Sequence, residues 1–193
     1  MNAPAATPQG ELEAIATLRR RLGSAAPAQL AALGDTALLA LPKTAIFCSA
    51  RCPGSVILAA YDQAAQWRDT GRCVISGFHS PVEKECLRIL LRGSQPVIIC
   101  PPRSIPTRTP PEWRAPISEG RLLLLSFFKD GPHRPTTETA QRRNTLVAAL
   151  ADEIYIPHAS PGGHLQSLLQ VIRLWAVPII PQPPTREPVT LRQ

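Results

Sequence analysis

Arg72-Cys-Val-Ile-Ser-Gly-Phe-His-Ser-Pro-Val-Glu-Lys-Glu-Cys-Leu-Arg-Ile-Leu-Leu-Arg-Gly93 runs from a short apolar segment through a turn of small residues into a helix. Residues 73–76 are too few for a helix and read as a buried strand. Ser80 stands at an N-cap position, Pro81 fills the first helical position where a missing N–H costs nothing, and Glu83 follows the cap by three, which makes a capping box. Val82, Cys86, Leu87, Ile89 and Leu90 recur at helical spacing among the polar Glu83, Lys84, Glu85 and Arg88. Gly93 is expected to stop the helix in a left-handed turn. Strand, turn and capped helix make half of a βαβ unit.

The same plan recurs on both sides. Thr44–Cys48 is an apolar strand ending in the polar loop 49–55, and Val56–Arg68 suits a helix stopped by Gly71. Gln95–Cys100 supplies a third strand. Strands separated by single helices at this spacing demand parallel pairing with right-handed crossovers, so the fold class is α/β, a three-layer Rossmann-like fold with a mainly parallel sheet. Proline breaks both regular structures, so Pro101–Pro116 is expected to be a surface loop, with Arg103, Arg108 and Arg114 along it. Arg121–Leu125 reads as a strand, Thr136 or Thr137 as the cap of a helix reaching Leu150, and Glu153–Ile156 as a further strand. The turn Pro157–His164, a helix through Leu165, Leu168, Leu169, Ile172 and Leu174, and a closing strand Ala176–Ile180 follow.

Ahead of these units, Leu12, Ile15, Leu18 and Leu22 recur at helical spacing within residues 11–33, with Glu11 and Glu13 early and Arg19, Arg20 and Arg21 late, as the helix dipole favours. The expected organisation is a helical N-terminal arm over 1–40, the Rossmann-like domain over 41–181 and a Pro-rich, extended tail over 182–193.

A chain of 193 residues with no run of eighteen apolar residues and no basic start leading into an apolar core reads as one cytoplasmic domain without a membrane span or secretory signal. The five cysteines, Cys48, Cys52, Cys73, Cys86 and Cys100, lie mostly in apolar contexts and read as buried free thiols. Cys48-x-x-x-Cys52 lacks the second ligand pair that structural zinc needs, so no metal or other cofactor is expected. The net charge of +7, carried by 18 Arg against 3 Lys, is compatible with a polyanionic partner and does not by itself identify nucleic acid.

In an open α/β sheet, ligands sit beyond the carboxyl ends of the strands. Those ends here carry Ser49 and Arg51, Ser76, Gly77 and His79, Arg103, and Ser160, Gly162 and Gly163. Glycine and serine at helix N-termini leave backbone N–H groups for an anion, and Arg51 adds a charge-assisted fork, so a phosphate site is one reading and ordinary turn chemistry the other. There is no Gly-x-Gly-x-x-Gly and no Gly-Lys-Ser/Thr loop, which disfavours dinucleotide binding and P-loop NTPase activity. His79, His158 and His164 lack a serine or cysteine elbow and read as polar turn residues.

Residues 35–180 resemble the Rossmann-like domain of the DNA-processing protein A (DprA/Smf) family, within the wider group that includes lysine-decarboxylase-like nucleotide enzymes. Ala45-Ile-Phe-Cys-Ser-Ala-Arg51 resembles the family's first strand and its small-x-Arg ending, and Val74-Ile-Ser-Gly77 its second strand and Ser-Gly turn. Gln141-Arg-Arg-Asn144 is similar to the Arg-Asn motif of a later helix, and Ser160-Pro-Gly-Gly163 lies where the family has an anion turn. The resemblance implies a ligand-facing set of Arg51, Ser76, Gly77, Arg143, Asn144, Ser160 and Gly162. It implies a non-catalytic protein binding single-stranded DNA or a nucleotide, with a RecA-like recombinase as a further partner; a homodimer is an open expectation. Phe78-His-Ser-Pro-Val-Glu-Lys-Glu85 departs from the family's usual Gly-Ile-Asp turn, and the C-terminal winged-helix domain that many members carry is not expected here. The alternative is a nucleotide- or phosphoribosyl-acting enzyme using Glu83 or Glu85. Pro161-Gly-Gly163 matches the start of the phosphoribohydrolase motif Pro-Gly-Gly-x-Gly-Thr-x-x-Glu, but Leu165, Gln166, Leu168 and Leu169 replace the rest, the glutamate included.

Overall fold

The computed structural model describes residues 9–128 and 134–181. The first eight residues of the expected arm and the expected tail over 182–193 lie outside the described residues. Seven strands, β1 (Ala31–Leu33), β2 (Lys43–Cys48), β3 (Cys73–Ser76), β4 (Val97–Ile99), β5 (Leu122–Ser126), β6 (Glu153–His158) and β7 (Ile179–Ile180), form one sheet in the order β1-β5-β4-β3-β2-β6-β7. Every neighbouring pair is parallel except β1 with β5. The helices are α1 (Gln9–Leu22), α2 (Gly54–Thr70), α3 (Pro81–Leu90), α4 (Pro111–Ser118), α5 (Thr137–Leu150) and α6 (His164–Leu174).

Every residue of β2, β3, β4 and β5 is buried, as a parallel sheet covered on both faces requires. Alternation along the strands divides the core in two. Ile46, Val74, Val97 and Ile99 pack with Ala64 and Trp67 of α2 and with Cys86 and Leu90 of α3, and Trp113 and Ile117 of α4 lean on the same layer. Phe47, Ile75, Ile98 and Leu123 pack on the opposite face with Leu18 of α1, Leu146 and Val147 of α5, and Ile172 of α6. The result is a doubly wound three-layer sandwich. From β2 to β5 the chain steps outward in one direction, then returns through α5 to place β6 beside β2. The carboxyl ends of β2 and β6 therefore flank the point where the winding reverses.

The opening stretch folds as read, with the capping box of Ser80 and Glu83 formed. The role expected of Gly93 is corrected. Leu91 ends α3 in the right-handed region at φ −66°, and Gly93 has no positive φ. A β-carbon at Gly93 would instead collide with the side chains of Arg68 and Gln95, so close approach, not turn geometry, favours glycine there.

Residues 11–33 are not one helix. Gly23 turns left-handed at φ 57°, Pro27 follows, and Ala31–Leu33 pairs antiparallel with Leu124–Ser126. Leu12 is 56% exposed, and Ala14 and Leu18 take the inward face instead. Arg21 donates from Nη1 to the carbonyls of Ala149 and Ala151 at 2.9 and 2.7 Å, capping the end of α5. Part of the expected proline-rich loop is also helical. Pro111 opens α4, where a missing N–H costs nothing, and Pro116 stays inside its single short run, buried against the sheet.

Candidate functional site

The parallel βα units bring the N-termini of α2, α3, α5 and α6 to the carboxyl-end pole of the sheet. Aligned peptide dipoles make that pole partly positive. At the winding reversal, the Ser49 N–H donates to the His158 carbonyl at 3.0 Å, and Ser49 Oγ accepts the Ser160 N–H at 2.9 Å. The β2–α2 and β6–α6 loops are thus joined by Ser49 and Ser160. Arg51 projects from the first of these loops, exposed and with no ion pair or hydrogen bond among the described residues.

Two of the expected ligand-facing side chains are corrected to scaffold. Ser76 is 0% exposed; its Oγ donates to the Ile46 carbonyl at 2.7 Å and accepts the Phe78 N–H at 3.2 Å, which commits its one proton and one of its lone pairs inside the fold. Arg143 is 2% exposed, donating from Nη1 to the Cys100 carbonyl at 2.9 Å and from Nε to Asn144 Oδ1 at 2.8 Å. Burial draws its pKa below the ordinary guanidinium value, against the pull of Glu83 and Cys100. Gly77 lies directly over this guanidinium, where any β-carbon would overlap it.

The strand-end amides are also engaged rather than open. Glu83, 6% exposed, accepts the Cys48 N–H on Oε1 at 2.8 Å and the N–H groups of His79 and Ser80 on Oε2 at 2.7 and 3.2 Å. The Gly162 N–H donates to Gln166 Oε1 at 2.7 Å, and that of Gly163 to the Ser160 carbonyl at 3.0 Å. The protein's own acceptors fill the places expected for an external anion. Neither carboxylate of the enzyme alternative stands apart, since Glu85 pairs with Arg88 at 2.8 Å.

Two depressions open among these residues. A cleft of about 200 Å³ between α5 and α6 is lined by Asn144, Gln141 and His164, with Gln141 Nε2 2.7 Å from His164 Nδ1. A larger one of about 490 Å³ lies between α3 and the segment leading into α4, with Gly77, His79, Leu87, Ile99 and Trp113 among its walls and Lys84 and Arg103 at its edge. Trp113 falls within Pro101–Pro116, the stretch expected to be a surface loop. Its setting among Pro110, Pro111 and Pro116 was the available signal, because these prolines fix the backbone that carries it.

Exposed cations without an ion pair among the described residues occur at both ends of the sheet, Arg92 and Arg173 lying past or in the last turns of α3 and α6. At the amino ends, Lys43 pairs with Asp152 at 3.2 Å, Arg72 with Glu153, Arg121 with Glu119 at 2.7 Å and Arg68 with Asp69 at 2.8 Å. At the carboxyl ends, Arg51, Lys84 and Arg142 are exposed and make no ion pair among the described residues; Arg142 lies 5.8 Å from the centre of the Phe128 ring. The thiols are structural. All five are free and four are buried, Cys100 being pushed up to about 12 and Cys48 far upward by burial.

Strand order and helix placement together define a Rossmann-like α/β module. The model of the DNA recombination-mediator protein A family matches residues 14–173, and the chain belongs to that family. Among solved structures, it resembles DNA processing protein A from Helicobacter pylori, described for its unique single-stranded DNA binding mode. The TM-score is 0.68 at 24% identity, over 96% of this chain and 81% of that one. It also resembles DNA processing protein A (DprA) from Streptococcus pneumoniae, with a TM-score of 0.65 at 18% identity over 80% of this chain. The chain spans 54% of the length of that pneumococcal chain. No curated protein matches the sequence. No helix among the described residues is long and apolar enough to cross a membrane.

Proposed function

We propose that the chain binds single-stranded DNA across the carboxyl-end pole as a non-catalytic protein of DNA processing or recombination. The observation that carries this reading is the group of exposed, unpaired cations at the carboxyl-end pole, beside the helix N-termini. Arg51, Lys84 and Arg142 are exposed near the starts of α2, α3 and α5 and make no ion pair among the described residues, so their charge adds to that of the helix dipoles. Family membership and the binding described for the Helicobacter relative support the choice of DNA over other polyanions. Because Glu83 occupies the converging amides, the strand's phosphates are met by side chains on the outer rim, Arg51 first, with His79, Asn144, Ser160, Gly162 and Gly163 beside the path. Transfer of the strand to a RecA-like recombinase, action as a homodimer and a cytoplasmic setting belong to the same proposal.

Fluorescence anisotropy with a short labelled oligothymidine and a duplex of the same length tests it. The single strand is expected to bind more tightly, and log K to fall with log salt by roughly 0.7 per phosphate contacted. Equal affinity for the two forms, or release of free base from nucleoside monophosphates, overturns it.

A further inference from the structure

The cleft between α3 and α4 is set apart by its chemistry from the polar loops around it. We infer that it receives an unstacked base of the bound strand, with the base lying against Trp113; the inference rests on the single-strand reading above. The floor is apolar, made by Phe78, Leu87 and Ile99, and Trp113 stands half-buried at its side. Lys84 and His79 are exposed at the edge, and Glu112 offers an acceptor. A nucleobase has the matching anatomy, with flat apolar faces, a polar edge and a phosphate one bond system away.

The volume of about 490 Å³ falls within the range of small-molecule sites, roughly 300–1,000 Å³. Position also favours a base. The cleft shares Gly77 and His79 with the β3–α3 turn, whose amides Glu83 ties to the end of β2, so cleft and Arg51 loop lie on the same pole. A strand whose phosphates follow the cations passes the opening. Trp113 is held ready for it, since Pro110 and Pro111 fix the start of α4 and Pro101 and Pro102 fix the opposite wall, which lowers the ordering cost of binding. A duplex keeps its bases paired and stacked and has none to insert. The cleft thereby gives the site a means of preferring single strands that charge alone does not provide.

The test is photo-cross-linking of the wild-type chain to an oligothymidine carrying 5-iodouracil, with the adduct mapped by mass spectrometry, alongside anisotropy on variants. The adduct is expected on Trp113. Trp113→Leu is expected to weaken the oligothymidine roughly tenfold, Trp113→Phe to keep most of the affinity, and neither to alter binding of an abasic strand of the same length. Adducts confined to the Arg51 loop, or a folded Trp113→Leu that binds oligothymidine like wild type, overturn the cleft assignment and leave strand binding standing. Failure of the wild type to bind any single strand overturns both. Should Trp113→Leu unfold, the adduct position and Trp113→Phe still decide.

Discussion

Glu83 Oε1 accepts the backbone N–H of Cys48 at 2.8 Å, tying the first turn of α3 to the end of β2. The residue that completes the capping box of its own helix thereby also closes the neighbouring strand. Its second oxygen holds His79 and Ser80. An internal carboxylate therefore fills this convergence of amides.

Glu83→Ala is expected to lower unfolding stability by about 2–3 kcal/mol, because it strips a charged acceptor from the buried Cys48 N–H and from the part-buried N–H groups of His79 and Ser80. Glu83→Gln keeps one acceptor oxygen and is expected to lose less. Urea titration of both decides, and a loss under about 1 kcal/mol for alanine refutes the scaffold role. Nucleoside monophosphates should remain uncleaved by wild type and variants alike.

The contact between Gly77 and Arg143 is steric and predicts strong coupling. Gly77→Ala alone forces a β-carbon into the guanidinium and is expected to cost about 3 kcal/mol, at the upper end of overpacking penalties. In the background of Arg143→Ala the same change should cost far less. A double-mutant cycle in guanidinium chloride measures the difference, and additive losses would show that the two residues do not press on one another.

Alternation, caps and spacing made the α/β core legible, because each parallel unit writes its strand and helix in local terms: Cys73–Ser76 and the Ser80 box needed no distant partner. Residues 31–33 were illegible for the opposite reason. Ala31-Ala32-Leu33 carries no strand signature and becomes one only by pairing with β5, with Gly34 at φ 115° turning beside the Leu122 carbonyl. For the site, sequence placed Arg51 and Ser49 at a strand end, but it showed neither that Ser76 and Arg143 point inward nor that Glu83 reaches Cys48. Those are contacts across 30 to 43 residues, set by packing.

Burial of the thiols predicts alkaline instability. Cys73 is pushed up to about 11, and Cys86 and Cys100 to about 12, from an ordinary 9.0. Above pH 9 the unfolded chain releases these protons while the folded chain keeps them, so stability intact below pH 9 falls as pH rises towards 12. Each thiol contributes a slope of up to about 1.4 kcal/mol per pH unit. Cys100→Ala should be less stable at neutral pH yet show a shallower decline. Denaturant titrations from pH 8 to 11 measure it, and parallel slopes for variant and wild type would contradict the assignment.

Arg51 separates binding from folding. It is exposed on the β2–α2 loop, has no partner among the described residues and stands beside the joined Ser49 and Ser160 turns. An arginine that neutralises no carboxylate and packs against no core has little to lose from the apo protein. Arg51→Ala is expected to shift the melting temperature by under about 2 °C, the scale of a neutral surface change. Single-strand binding should weaken by about 1.5–3 kcal/mol, the range for a hydrogen bond to a charged group, and the salt slope should drop by roughly one phosphate contact. Arg51→Lys should restore part of the affinity, because a point charge replaces the field but not the two-pronged fork. Melting curves and anisotropy on the same preparations distinguish the cases. Loss of several degrees with binding reduced only in step with the folded fraction makes Arg51 a structural residue, and an alanine variant that binds normally removes it from the site.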